Sequence, residues 1–164
     1  LRSDPHREVR IRIASVLDAA DLAPMVRDPD YYVRLVVARR IAPALLGPLA
    51  ADDEAEVRRV AARRMPVEWL SGRLDDPDPT VRLEMAQRLS PDMLLALAAD
   101  PDWRVRHEVA SRAPPDRLGA LASDPDALVR EVAGVLQRDR EPNRQEGGGW
   151  VRSSAAPTGG DWPA

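Results

Sequence analysis

Cysteine, phenylalanine and lysine are absent from this sequence of 164 residues, and aromatic residues of any kind make up only 4%. Without cysteine the chain has no disulfide framework, no thiolate-held metal of its own and no cysteine nucleophile. The only histidines are His6 and His107, far apart in the sequence, so no histidine pair can share a metal site or a catalytic centre. Serine nucleophile elbows and glycine-rich phosphate loops are missing too. No apolar run approaches the ~20 residues that span a bilayer. A formal net charge of −3 argues against a generic binder of nucleic acid or anionic membrane. What the chain does have is 44% hydrophobic residues, enough for one packed core, and 31% charged residues, all the basic ones arginine.

Those residues are arranged in a repeat. The dipeptide Val-Arg recurs at 9/10, 33/34, 57/58, 81/82, 105/106 and 129/130, each step being 24 residues with no insertion or deletion. Five residues before each Val stands an Asp: Asp4, Asp28, Asp52, Asp76, Asp100 and Asp124. Pro follows that Asp in every unit but the third, where Asp53 stands instead. A Leu keeps the same register at 22, 46, 70, 94 and 118.

Asp followed by Pro predicts an N-cap and a first helical turn. The further acids at 30, 54, 78, 102 and 126 suit the positive end of a helix dipole. Val105, Val109 and Ala113 then form one apolar stripe at i, i+4 and i+8. Pro43, Pro66, Pro91 and Pro114 stop the helix after about thirteen residues. The rest of each unit is too short for a second helix. Leu94 and Leu97, three apart, predict one short 3₁₀ turn. Such a unit cannot bury its stripe alone, so the fold class is all-α: an α-solenoid of about six stacked 24-residue repeats over residues 1–138. Two units depart from the pattern. The fourth has Arg73 at a Leu position with Leu74 beside it, where Leu74 is expected to restore the contact. The sixth has Gly134 for Ala and reads as a capping unit. Residues 139–164 hold five of the nine glycines and no stripe, and are expected to be a disordered tail in which Trp150 and Trp162 are possible short docking anchors.

The unit LAxDPDxxVRxxVAxRxxPxxLL at this spacing resembles the leucine-rich repeat variant family, over residues 1 to about 136. The resemblance implies a right-handed superhelix of alternating α- and 3₁₀-helices. It also implies an association with iron–sulfur chemistry, because some members carry an upstream cysteine-rich module that binds a 4Fe–4S cluster and are linked to nitrogen fixation. No residue here matches that module, so no cofactor is assigned to this chain. The Asp-to-Arg spacing from Asp100 to Arg106 is also similar to that of HEAT repeats, which need longer units of two full helices.

The two regular arginine rows have structural readings. Arg10, Arg34, Arg58, Arg82, Arg106 and Arg130 are expected to form a ladder of hydrogen bonds to cap aspartates and loop carbonyls. Arg40, Arg64, Arg88 and Arg112 suit helix C-termini, with Glu84–Arg88 and Glu108–Arg112 as i,i+4 pairs. Adding Arg39 and Arg63 predicts a small basic patch on repeats two and three. With Val105 and Val109 inward, Trp103, His107 and Ser111 point outward, as do the corresponding Ile11, Tyr31, Leu35, Arg39 and Leu83. Tyr31, Leu35, Arg39, Leu83, Trp103 and His107 are therefore the candidate partner-binding residues, since aromatics beside arginine are what interface hot spots favour.

The functional expectation is a non-catalytic, cytoplasmic scaffold that binds a protein partner. The alternative is the repeat body of an iron–sulfur redox protein whose cluster module lies outside this chain. A helical-repeat enzyme acting on nucleic acid is disfavoured, because Trp69 and Trp103 hold non-equivalent positions in an acidic array. Leu1 falls in frame with the repeat and Ile11 and Ile13 sit on the first helix, which together predict an additional N-terminal module covering that end.

Overall fold

The computed structural model describes residues 2–138; the expected tail, with Trp150 and Trp162, lies outside the described residues. Among the described residues there is no strand. Six helices recur at the repeat interval: α1 (Arg7–Val16), α2 (Tyr31–Arg40), α3 (Ala55–Arg64), α4 (Pro79–Ala86), α6 (Trp103–Arg112) and α7 (Ala127–Arg138), with a single-turn α5 (Pro91–Leu94) after the fourth. Successive helices of the array pack on one another, and short 3₁₀ turns connect them, which makes the molecule a solenoid.

Four of the helices span ten residues rather than thirteen, because they begin two residues later than Asp-Pro suggests and end one residue sooner. In α2, α4 and α6 the N-cap is the second acid of the loop, whereas α1 starts after His6 and α3 after Glu54, neither with a side-chain cap bond. Asp30 accepts from the N–H groups of Tyr32 at 2.9 Å and Val33 at 3.4 Å, Asp78 caps Thr80 and Asp102 caps Arg104. The first acid, Asp28, instead folds over its own turn and accepts from the Asp30 N–H at 2.9 Å. Its neighbour Pro29 disfavours the helical region for it. Asp52 makes the same turn with Glu54 at 3.0 Å although no proline follows it, so the carboxylate and not the ring defines the loop.

The predicted stripe is the core. Val33, Val37 and Ile41 are buried, as are Val105, Val109 and Ala113. Leu46 and Leu49 close the same layer from the connecting segment. Each fully buried aliphatic side chain contributes on the order of 1.5–3 kcal/mol. The connection is two short turns rather than one: Pro43–Leu45 and Leu49–Ala51 in the second unit, Pro115–Arg117 and Leu121–Ser123 in the fifth. One turn carries the register leucine into the core, and a second is needed to bring the chain back to the next Asp.

Where the sequence departs at Arg73, the turn Ser71–Arg73 follows Val67–Trp69 with only Leu70 between them, a spacing that the first unit shares at Ala19–Asp21 and Ala23–Met25. Arg73 turns its Nη1 toward the Ala50 carbonyl at 3.4 Å, and Leu74 packs half-buried against the core. In the sixth unit the Arg138 guanidinium lies over Gly134, 3.3 Å from where a Cβ would stand.

Candidate interaction surface

The first arginine row is a continuous inter-repeat ladder. Arg82 donates Nε to Asp100 Oδ2 at 2.7 Å and Nη2 to Asp100 Oδ1 at 2.8 Å. Its Nη1 reaches back to the Asp76 carbonyl at 2.7 Å. Arg10, Arg34, Arg58 and Arg106 repeat this arrangement with Asp28, Asp52, Asp76 and Asp124. Each aspartate belongs to the next unit, so one guanidinium joins two successive loops through charge-assisted, two-pronged bonds. The ion pairing raises the affinity of these arginines for their protons; in Arg82, for example, the Asp100 hydrogen bond outweighs desolvation. The reciprocal effect holds the Asp124 carboxyl below the usual range, through its bond to Arg106 first.

The second row runs the other way. Arg40, Arg64, Arg88 and Arg112 each donate to a carbonyl near the end of the preceding unit's helix: Ala14, Ala38 at 2.6 Å, Ala62 and Ala86 at 2.9 Å. Arg88 and Arg112 also reach the carbonyls of Met65 and Leu89, both at 2.7 Å. These are the orphan acceptors that every helix leaves at its C-terminus. Glu108–Arg112 forms the expected i,i+4 pair at 2.9 Å. Glu84–Arg88 does not. Arg88 is engaged by the carbonyls, and Glu84 takes both prongs of Arg63, at 2.9 and 2.6 Å. That pair, with Arg39 directed at Glu56 across 3.9 Å, removes the basic patch expected on repeats two and three.

The candidate partner residues divide. Tyr31 and Trp103 are exposed, at 43% and 41%. They hold the same place in their units, the first residue of α2 and of α6, and between them in register stand Ala55 and Pro79, giving an uncharged column over four units. Tyr31 meets Tyr32 edge to face, ring centres 6.3 Å apart, and Trp103 meets His107 in the same way at 6.3 Å. Beside Trp103, Arg104 clasps Asp102 with two prongs, at 3.0 and 2.8 Å. That clasp, above all, lowers the Asp102 carboxyl to about 2. Arg39 is exposed as expected.

Leu35 contradicts the reading: it is 1% exposed and part of the core. Leu83 is half-buried against that core, and His107 is half-buried. A solenoid helix has a neighbour on either side, here α1 and α3 around α2, as well as the turn layer behind it. Its buried arc is therefore wider than one i, i+4, i+8 stripe, and positions four residues after the exposed column fall inside it.

A second exposed row escaped the helical-wheel argument because it lies on the connecting turns. Leu45 and Trp69, on 3₁₀ turns, are 42% and 43% exposed at equivalent places in adjacent units, and the half-buried Met93 on α5 continues the row. The 24-residue register alone aligns these three residues.

Among the described residues no group of His, Cys, Asp or Glu side chains could hold a metal ion, and no helix is long and apolar enough to cross a membrane. A thiolate-held cluster does not fit the residues present, since the whole sequence lacks cysteine.

Fold and ladder together define a helical-repeat solenoid built on 24-residue α/3₁₀ units. Residues 79–102 and 103–126, two adjacent units, match the leucine rich repeat variant family. A solved structure described as a leucine-rich repeat variant with a novel repetitive structural motif is similar to this chain at 40% identity and a TM-score of 0.77, over 82% of the chain. The chain spans 57% of that protein's length. Curated proteins provide no match. The chain is a helical-repeat protein whose residues 79–126 are leucine rich repeat variant units, in a solenoid similar to that solved structure.

Proposed function

We propose that this protein is a non-catalytic scaffold that binds a protein partner along the helix-start column of its array. The observation that carries the reading is the exposure of Tyr31 and Trp103 in a column without charges, Tyr31–Ala55–Pro79–Trp103, with the exposed Tyr32 beside it. A solvated face gains nothing from ordering such rings, whereas an interface gains large contact area for few rotatable bonds. The recurring polar chemistry of the units is consumed by the two arginine rows, and packing does not require the aromatic column.

The test is capture from the native source by the immobilised full chain, read by mass spectrometry, against a variant carrying Tyr31→Ser, Tyr32→Ser and Trp103→Ser. The expected result is loss of the specifically captured protein at an unchanged melting temperature. Equal capture by the two chains would contradict the column.

A further inference from the structure

The aromatic column runs beside a row of acids that the ladder does not use. Asp30, Glu54, Asp78, Asp102 and Asp126 stand immediately before the first residue of their helices. The ladder aspartates Asp28, Asp52, Asp76, Asp100 and Asp124 are each gripped by an arginine of the preceding unit. The second row is served differently. Arg7 lies 3.2 Å from Asp30, and Arg104 clasps Asp102 at 3.0 and 2.8 Å. In the two units between Tyr31 and Trp103, no guanidinium pairs with Glu54, Asp78 or the exposed Asp53 among the described residues. The arginines whose charge reaches them, Arg34 and Arg58, are held by Asp52 and Asp76, and Arg59 is half-buried one turn into α3.

This stretch of edge concentrates the negative charge of the molecule. Residues 52–59 and 73–80 hold seven acids against three arginines, a balance of −4, where the whole chain carries −3. Such an edge repels phosphate-bearing polymers and attracts cations. Stacked units place one acid of the row every ~8–10 Å and set Tyr31 and Trp103 about three such steps apart. A peptide in the extended polyproline II form rises ~3.1 Å per residue and turns once in three, so every third side chain faces the same way, ~9 Å from the last. Protein and peptide then share one step length.

We infer that the partner docks on this column through an extended basic segment with arginine or lysine at every third residue, its cations meeting Asp53, Glu54 and Asp78 and its ends lying against Tyr31 and Trp103. The inference rests on the partner-binding role proposed for the column and adds the chemistry of the occupant. Charge complementarity selects it, and the chain's own Arg7 and Arg104 show a guanidinium seated on two members of the same row. The exposed rings favour the same occupant, since a guanidinium is attracted to an aromatic face.

Fluorescence anisotropy of the full chain with a labelled Arg-Pro-Pro repeat, about twelve residues long, tests it. Binding is expected at low salt, weakening as salt rises. A peptide of the same composition with its arginines grouped at one end should bind less tightly, because it loses the step. Asp53→Asn with Glu54→Gln should weaken binding roughly threefold or more. These two side chains hold no hydrogen bond among the described residues, so the circular dichroism spectrum should stay that of wild type. Tyr31→Ser with Trp103→Ser should weaken binding by a similar factor. No binding at low salt, equal affinity for the two peptides, or an affinity unmoved by either pair of substitutions would overturn the inference. If capture from the native source depends on Tyr31 and Trp103 while the Arg-Pro-Pro repeat does not bind, the scaffold reading stands and this inference alone falls.

Discussion

Arg82 and Asp100 stand eighteen residues apart in the chain and meet as a two-pronged pair at 2.7 and 2.8 Å, their side chains 9% and 2% exposed. Asp100 also holds the Asp102 N–H at 2.8 Å, and Arg82 the Asp76 carbonyl at 2.7 Å. One buried pair thus fixes two loops and the spacing between their units. Every polar atom in it has a partner, which is the condition for a buried charge pair to be tolerated.

Acid should loosen the loops that carry Asp78, Asp102 and Asp124 in a defined window. Asp102, Asp124 and Asp78 are held below the usual carboxylate range, Asp102 to about 2, by their bonds to Arg104, Arg106 and Thr80 respectively. A carboxyl with a depressed folded-state pKa stabilises the fold above its unfolded value of ~4 and loses that contribution as pH falls through the folded value. The urea midpoint should be level from pH 7 to about 5 and fall between ~4 and ~2. A midpoint level down to pH 2 would show that these aspartates are not coupled to folding.

Leu35 and Tyr31 lie one helical turn apart and should respond oppositely to substitution. Leu35→Ala empties a fully buried site and should cost about 2–5 kcal/mol. Tyr31→Ser removes a side chain 43% exposed and should stay within about 0.5 kcal/mol. Denaturant melts of the two variants decide the matter, and the reverse order would place the outward face where Leu35 is.

Gly134 offers a stabilising change. It sits inside α7, where glycine costs roughly 0.5–1 kcal/mol relative to alanine. The atom nearest an added Cβ is the tip of the flexible Arg138 side chain, at 3.3 Å. Gly134→Ala should raise the thermal midpoint by a few degrees. A lower midpoint would mean that the guanidinium is fixed over the glycine.

Periodicity made the architecture legible, because each unit repeats the same few contacts without insertion. Val105, Val109 and Ala113 read as core from spacing alone, and Arg82 read as a ladder arginine from its place beside Val81. The cap position did not, since Asp28 and Asp30 are the same residue type two places apart, and only the pairing of Arg10 with Asp28 separates their tasks. Leu35 was misread because a wheel treats a helix as having one buried side, whereas α2 has neighbours on both. Glu84 was assigned to Arg88 by sequence proximity, yet Arg63, twenty-one residues earlier, reaches it with two prongs. Trp69 and Leu45 showed no helical period because they sit on 3₁₀ turns.

The central claim is that the Arg–Asp ladder holds successive units together, and a double-mutant cycle on Arg82 and Asp100 tests it most directly. Arg82→Ala and Asp100→Ala should each lower stability by roughly 1–3 kcal/mol, since either leaves a buried polar group without its partner. The double variant should be little worse than either single one, giving a coupling energy of about 1–3 kcal/mol. Additive losses, with no coupling between the two positions, would contradict the account.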